Sequence, residues 1–332
     1  MTPSQPLPDA AAANWVDRLA PASWRNWLKL GRFDRPTGIW LLMLPGWQGI
    51  ALEAAGRGAW PSVRLLALFA VGAAVMRSAG CAFNDIVDRD FDAKVARTAA
   101  RPVASGAVSV RGAGVFLIAC ALAGFAILLT LNLMSLFLGV ASLVLVAAYP
   151  FMKRVTWWPQ AWLGLTFNWG VLLGYAAGQG GPAGLSVLSL ASRAWVSGVN
   201  LTVYSAPLPA AALLLYGSGV AWTLGYDTIY AVQDLEDDAL AGVRSSARRL
   251  GQFAPLAVAG FYLISIALAL SAWRQGSLGM GFLPLAAVFA GQLVWQASRL
   301  RLNDPAGALR LFNSNTLAGV LLLAAIIAGG VV

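Results

Sequence analysis

Asn84, Asp88 and Asp92 recur every four residues within the run Asn84-Asp85-Ile86-Val87-Asp88-Arg89-Asp90-Phe91-Asp92. Asp234 and Asp238 repeat that spacing in a second run that starts at Asp227 and also holds Glu236 and Asp237. Nine of the fourteen acidic residues fall in these two runs; only Asp9, Asp17, Asp34, Glu53 and Asp304 lie elsewhere. A four-residue period places side chains on one stripe of a helix, where like charges repel. Carboxylates gathered in this way call for a cation between them. Oxygen donors without nitrogen or sulfur partners suit Mg²⁺, Mn²⁺ or Ca²⁺ rather than zinc or copper. Mg²⁺ takes one or two carboxylates and fills its shell with water and phosphate oxygens, so two facing stripes could clamp a diphosphate through bridging metals.

Basic residues stand beside both runs. Arg97 and Arg101 follow the first, and Lys153 and Arg154 follow Tyr149-Pro150-Phe151-Met152. Arginine can grip diphosphate oxygens in a two-pronged fork. The same residues, with Arg32 and Arg35, also read as ordinary charge on the inner side of a membrane. Histidine is absent altogether, which excludes histidine bases, histidine-ligated haem and histidine-containing zinc sites. Cys81 and Cys120 lie in apolar surroundings and read as small buried hydrophobes.

The elements that must position these groups are membrane helices. The 332 residues are 59% hydrophobic and only 11% charged, too few charges to cover a water-facing surface. Apolar stretches are predicted at about 36–54, 64–83, 112–130, 132–149, 160–178, 209–229, 253–272, 278–297 and 311–331, each long enough to span a bilayer. Trp24, Trp27 and Leu28, set among Arg25 and Lys29, suit a short helix lying in the membrane interface. Counting loops alternately, eighteen basic residues fall on one side and four on the other, Arg77 lying within a span. This is the positive-inside pattern, so the formal charge of +9 reports topology and not nucleic-acid binding. Both acidic runs then lie on the N-terminal, cytoplasmic side. Trp157 and Trp158 read as part of the interfacial aromatic belt. Residues 1–22 show no signal peptide and too few arginines for a mitochondrial transit peptide, and read as a disordered cytoplasmic tail ahead of one membrane domain, 23–332. The expected location is the bacterial inner membrane.

The two runs resemble the paired motifs of the UbiA superfamily of intramembrane prenyltransferases. Asn84, Asp85, Asp88 and Asp92 match N-D-x-x-D-x-x-x-D, followed by R-x-x-x-R-P ending at Pro102. Asp227, Thr228, Tyr230, Ala231, Asp234, Asp237 and Asp238 match D-T-x-Y-A-x-x-D-x-x-D-D. With Asp34-Arg35-Pro36-Thr37-Gly38 and the Lys153-Arg154 run, the match looks like the 4-hydroxybenzoate polyprenyltransferase branch. The resemblance implies an all-α bundle of about nine transmembrane helices around a central cavity opening to the cytoplasmic side. It implies two Mg²⁺ ions held by Asn84, Asp88, Asp92, Asp234 and Asp238 and bridging a polyprenyl diphosphate. Asp85, Asp227, Arg101 and Lys153 are then the expected catalytic residues; Arg35, Arg154, Arg97 and Tyr230 are expected to bind substrate. The implied reaction carries the polyprenyl group to the ring carbon beside the hydroxyl of 4-hydroxybenzoate, an early step of ubiquinone synthesis. Trp157 stands where the branch usually has histidine, and the outer loop 180–209 is longer than usual.

Two other readings stay open on the residues. A related prenyltransferase would take homogentisate, dihydroxynaphthoate or haem as acceptor. A divalent-cation transporter would need polar residues across the bilayer, whereas the acids here stop at one face.

Overall fold

A chain this apolar can satisfy its peptide groups inside lipid only within helices, since no water is there to accept their hydrogen bonds. A computed structural model describes residues 14–94, 98–180, 207–235 and 244–331, apart from the side chains of Asp234 and Val331. All regular structure among the described residues is helical, as the all-α expectation has it. The helices are α1 (Trp15–Leu19), α2 (Ala22–Leu30), α3 (Thr37–Ala55), α4 (Val63–Val87), α5 (Arg89–Asp92), α6 (Val110–Leu129), α7 (Leu133–Val155) and α8 (Pro159–Gln179). They continue as α9 (Ala210–Ala231), α10 (Ser246–Leu250), α11 (Ala254–Gln275), α12 (Phe282–Arg299), α13 (Pro305–Asn313) and α14 (Asn315–Val331). The outer loop falls outside the described residues from 181 to 206.

Among the described residues five stretches are long and apolar enough to cross a membrane: Val63–Val87, Val110–Leu129, Leu133–Val155, Ser246–Gln275 and Pro305–Gly330. Helices α3, α8, α9 and α12 coincide with further predicted spans and bury polar side chains. Gln48 and Glu53, Gln160 and Asn168, Ser218 and Thr223, and Gln296 are all buried on them. Such groups tolerate a lipid setting because neighbouring helices satisfy them. The Asn168 amide donates to Thr223 Oγ1 at 2.8 Å, and Thr223 Oγ1 donates to the Tyr226 hydroxyl at 3.1 Å. Gln48 donates to the Gly319 carbonyl at 3.0 Å, and the Trp222 indole to Asn315 Oδ1 at 2.8 Å. By contrast, α6 buries only Ala113.

The chain divides into two compact units, Met1–Trp40 with Ala70–Ile127, and Leu41–Phe69 with Leu128–Val332. The first packs Leu30, Ala82, Val103, Val108 and Ala113 into a small core. The second holds a larger one around Leu44, Val171, Trp222, Tyr262 and Phe289. Within the second unit α3 and α8 touch backbone to backbone. A Cβ on Gly49 would collide with the Val171 carbonyl, and one on Gly174 with the Gly46 carbonyl. Small residues at such crossings let membrane helices gain dispersion contact that lipid alone does not offer.

The N-terminal end differs from the expected disorder. Residues 1–13 lie outside the described residues, but Trp15–Leu19 is a helix whose N-cap, Asn14, accepts from the Asp17 amide. Val16 is fully buried, and Asp17 pairs with buried Lys29 at 2.7 Å. These local contacts supply the order that composition alone did not reveal. The short helix expected around Trp24 and Trp27 is α2, which keeps both tryptophans exposed.

Gly49→Val and Gly174→Val should force α3 and α8 apart, with a loss of about 1–3 kcal/mol from overpacking. Thermal unfolding in detergent checks this, with Gly72→Ala, which meets no atom within 4 Å, as the harmless control. A Gly49→Val protein as stable as that control would contradict the close crossing.

Candidate active site

The first acidic run closes α4 and opens α5. The Asp88 amide donates to the Asn84 carbonyl at 2.9 Å and the Asp92 amide to the Asp88 carbonyl at 2.8 Å. The four-residue stripe therefore continues across Asp88, although its backbone (φ −96, ψ 3) separates the two helices. Asp85, Asp88 and Asp92 are 1%, 0% and 2% exposed, so each needs compensation from the protein. Asn84 is half-buried on the same stretch.

Two arginines supply that compensation. Arg32 donates through Nη2 to Asp85 Oδ1 at 2.6 Å. Arg101 donates through Nη1 to Asp92 Oδ2 at 2.7 Å and stands 3.7 Å from Asp85 Oδ1. The loop that returns Arg101 to the cluster is pinned by Thr98, whose hydroxyl donates to the Asp92 carbonyl at 2.9 Å. Burial pushes the Asp92 carboxyl above the usual carboxylate range; Arg101 pulls it down, and the neighbouring Asp85 and Asp88 charges push it up again. Asp85 Oδ2 is buried without a hydrogen-bond partner.

Expected site residues are distributed between the two units. Asn84, Asp85, Asp88, Asp92, Arg101 and Arg35 belong to the first. Arg35 stands 3.4 Å from Asp34, whose carboxylate is buried with neither oxygen hydrogen-bonded. Arg97 lies outside the described residues. Lys153, Arg154, Asp227 and Tyr230 belong to the second unit. There Arg154 is exposed, and Lys153 and Asp227 are half-buried. Tyr230 packs on Phe312 with ring centroids 4.7 Å apart. Asp234 has its backbone in a single 3₁₀ turn, Val232–Asp234, while Glu236, Asp237 and Asp238 lie outside the described residues.

The second unit ties its basic loop together locally. The Arg244 amide donates to the Lys153 carbonyl at 3.2 Å, and Arg244 Nη1 to the Val155 carbonyl at 2.7 Å. Arg244 and Arg248 lie 5.8 and 5.6 Å from the Trp157 ring centroid, two cation–π contacts on one aromatic. Trp157 thus organises two arginines, a role that the aromatic-belt reading did not contain. Thr228 and Ser246 share a hydroxyl contact of 2.7 Å, and the Ser246 amide donates to Gln160 Oε1 at 3.1 Å. Sequence reasoning counted Arg244 and Arg248 only as inner-side charge and left Arg32 open between that and a diphosphate contact.

Among the described residues no three acidic or thiol side chains converge on one metal position. The donor chemistry nevertheless fits a hard cation, since every candidate ligand is an oxygen and one carboxylate oxygen of the cluster, Asp85 Oδ2, has no hydrogen-bond donor among the described residues.

Comparison with known proteins bears on what such a cluster serves. A family model described as the UbiA prenyltransferase family matches residues 42–326. The chain is 44% identical over 319 residues to "4-hydroxybenzoate polyprenyltransferase, mitochondrial" of Arabidopsis thaliana, covering 96% of this chain and 72% of the relative. It is 40% identical over 320 residues to the protein of the same name in Homo sapiens, with 96% and 79% covered. Among solved structures it resembles the apo structure of a UbiA homolog from Aeropyrum pernix K1, with TM-score 0.68, 27% identity, and 87% and 96% coverage. It shares the fold of a UbiA homolog from Archaeoglobus fulgidus bound to GPP and Mg²⁺, with TM-score 0.59, 18% identity, and 92% and 100% coverage. The mitochondrial names overturn the expected bacterial inner membrane. Hydropathy and the side of the basic loops report how a chain sits in a bilayer, not which organelle owns that bilayer.

The isolated Asp34 carboxyl yields a pH prediction. Burial raises it, although Arg35, Arg32 and Lys29 act to lower it. A carboxyl raised in the fold contributes stability at low pH and loses it as pH rises through the folded value, above the usual 3.8. Asp34→Asn should therefore raise the melting temperature at neutral pH and flatten its fall from acid to neutral. A lower melting temperature at pH 7 would show that the Arg35 contact outweighs burial.

Proposed function

Because the chain belongs to the UbiA prenyltransferase family, we propose that it transfers a polyprenyl group from polyprenyl diphosphate to 4-hydroxybenzoate, in ubiquinone synthesis and in a mitochondrial membrane. The observation that carries this reading is the buried Asp85–Asp88–Asp92 cluster, met by Arg32 and Arg101. In the reaction the allylic carbon–oxygen bond breaks and its electron pair leaves with diphosphate. The electron-rich ring carbon beside the hydroxyl then bonds to the allylic carbon, and that ring carbon gives up its proton to restore aromaticity. Products are the prenylated acid, diphosphate and a proton.

Mg²⁺, when bound, neutralises the diphosphate and makes it a good leaving group. Asn84, Asp88 and Asp92 would hold it from the first acidic run, and Asp234 and Asp238 from the second. Two ions fit two runs. Arg101, Arg97 and Lys153 would meet the diphosphate oxygens, where a planar guanidinium makes two parallel bonds. Asp85, within the first run, and Asp227, at the head of the second, would orient these cations. Tyr230, held against Phe312, would line the path of the substrate. Nine helices, α3, α4, α6 to α9, α11, α12 and α14, would surround a cavity opening on the basic side. Apolar walls keep water from the carbocation until the acceptor reaches it.

The acceptor's carboxylate must also be answered, because an unpaired charge among apolar helices costs several kcal/mol. Without histidine in the chain the choice is arginine or lysine. Arg35 and Arg154 are the candidates. Arg35 stands 3.4 Å from Asp34, and Arg154 is exposed in the last turn of α7.

Washed membranes supplied with a polyprenyl diphosphate and 4-hydroxybenzoate should release prenylated acid only with a divalent cation. Asp88→Ala, Asp92→Ala, Asp234→Ala and Asp238→Ala should each lower kcat by about 10²–10³, the scale of losing one key electrostatic contact. Full turnover in EDTA would refute the metal reading. Arg154→Ala should raise the KM for 4-hydroxybenzoate and leave that for the prenyl diphosphate nearly unchanged; the reverse pattern would move Arg154 to the diphosphate.

A further inference from the structure

Helix α2 ends in a cap that normally requires glycine, and an arginine occupies the critical position. Gly31 is the last half-helical residue. The next residue, Arg32, has φ +62. Its amide donates to the Lys29 carbonyl at 3.1 Å, and the Phe33 amide donates back to the Leu28 carbonyl at 3.0 Å. This paired 6→1 and 5→2 pattern is the Schellman motif, whose left-handed residue is usually glycine because a Cβ is strained there. Gly31, one position earlier, is also constrained, since a Cβ on it would meet Ser78 Oγ at 2.7 Å. The chain therefore spends its nearby glycine on packing and leaves the left-handed position to Arg32. Strain held at one buried residue is a reason to ask what that residue does.

Arg32 is itself buried, and its guanidinium meets Asp85 Oδ1 at 2.6 Å, fifty-three positions along the chain. It also donates through Nη1 to the Lys29 carbonyl at 3.3 Å, which holds the side chain against its own helix end. Asp85 is thereby gripped through one oxygen, and its other, Oδ2, is buried without a hydrogen bond. A cap that needed only to turn the chain would be better served by glycine. A charge that needed only to neutralise Asp85 could stand on an unstrained residue. The combination places a fixed positive charge, on a rigid turn, at the edge of the acidic run.

We propose that Arg32 is a positioning residue that acts through Asp85 and sets the charge balance of the acidic cluster, making it a poor site for a bare divalent cation and a good one for a cation accompanied by diphosphate. The inference rests on the prenyl-transfer reading. It follows from Coulomb attraction and repulsion alone. A fixed positive charge a few ångströms from the cluster repels an added cation and attracts an added diphosphate. Arg101, 3.7 Å from the same Asp85 oxygen and 2.7 Å from Asp92, is placed to meet the diphosphate itself. Arg32 has the different task of holding Asp85 still.

The test uses the full-length protein in detergent, with Mn²⁺ as the probe cation and geranyl diphosphate as the short allylic diphosphate. Arg32→Gly relaxes the left-handed turn and removes the charge; Arg32→Lys keeps a charge at the strained position. Arg32→Gly should melt below the parent, because relaxing the turn does not offset leaving Asp85 buried without its donor. It should bind Mn²⁺ alone about tenfold more tightly or better, and bind geranyl diphosphate in the presence of Mn²⁺ about tenfold more weakly. Arg32→Lys should restore both affinities toward the parent values. A purely structural Arg32 would lower the melting temperature but leave both affinities unchanged or weaken both, and that result overturns the proposal. If Arg32→Gly does not fold, Arg32→Asn, which also accepts a left-handed backbone, replaces it. In an Asp85→Asn background the Arg32 substitution should change both affinities by less than it does in the parent; an undiminished effect there would mean that Arg32 does not act through Asp85. A parent protein that binds no Mn²⁺ with or without geranyl diphosphate would defeat the metal-dependent function itself. Normal parent binding with an unaltered Arg32→Gly would defeat only the role of Arg32.

Discussion

Guanidinium–carboxylate pairing inside an apolar protein is the interaction on which the rest depends. Moving an isolated carboxylate out of water costs several kcal/mol even after the protein relaxes. Asp85, Asp88 and Asp92 lie together in buried positions at the end of a membrane helix. Arg32 and Arg101 make that arrangement tolerable by close contacts of 2.6 and 2.7 Å. Such pairs are a poor source of net stability, because the desolvation of both partners consumes most of their attraction. Their presence is better explained by what the cluster binds than by what it holds up.

The fold is arranged to make this pairing possible. The strained turn after α2 brings Arg32 to the cluster, and the Thr98 hydroxyl on the Asp92 carbonyl ties down the loop that carries Arg101. In the second unit the same problem is solved differently. Arg244 and Arg248 stack on Trp157, and Arg244 hydrogen-bonds the carbonyls at the end of α7. Basic side chains there are fixed by an aromatic ring and by backbone oxygens. Both devices hold cations in set positions, as an anionic, diphosphate-bearing substrate requires.

Much of this was legible in the sequence, for physical reasons that can be named. Apolar runs of about twenty residues must be helices in lipid, and the stretches at 64–83, 112–130 and 132–149 fall on α4, α6 and α7. The four-residue spacing of Asn84, Asp88 and Asp92 persists through a break in the helix because the amide-to-carbonyl bonds continue across it. What the sequence hid are contacts between residues distant along the chain. Nothing local distinguishes Arg32 from other inner-side arginines, because its partner is fifty-three residues away. Trp157 looked like one more interfacial aromatic until two arginines were found against its ring. The order of residues 14–20 rests on a side-chain cap and on the Asp17–Lys29 pair, which composition does not register. The organelle was illegible for a different reason, since a matrix-facing and a cytoplasm-facing surface attract the same basic residues.

The account's central claim is that buried acids are gathered here to hold cations against a diphosphate. Diffraction at the manganese absorption edge, from crystals grown with Mn²⁺ and an unreactive prenyl thiodiphosphate, tests it most directly. Anomalous peaks within coordination distance of Asp88 and Asp92 and of Asp234 and Asp238, with diphosphate oxygens between them, are the result this account predicts. Diphosphate held by arginines and lysine alone, with manganese absent from both acidic runs, would contradict it.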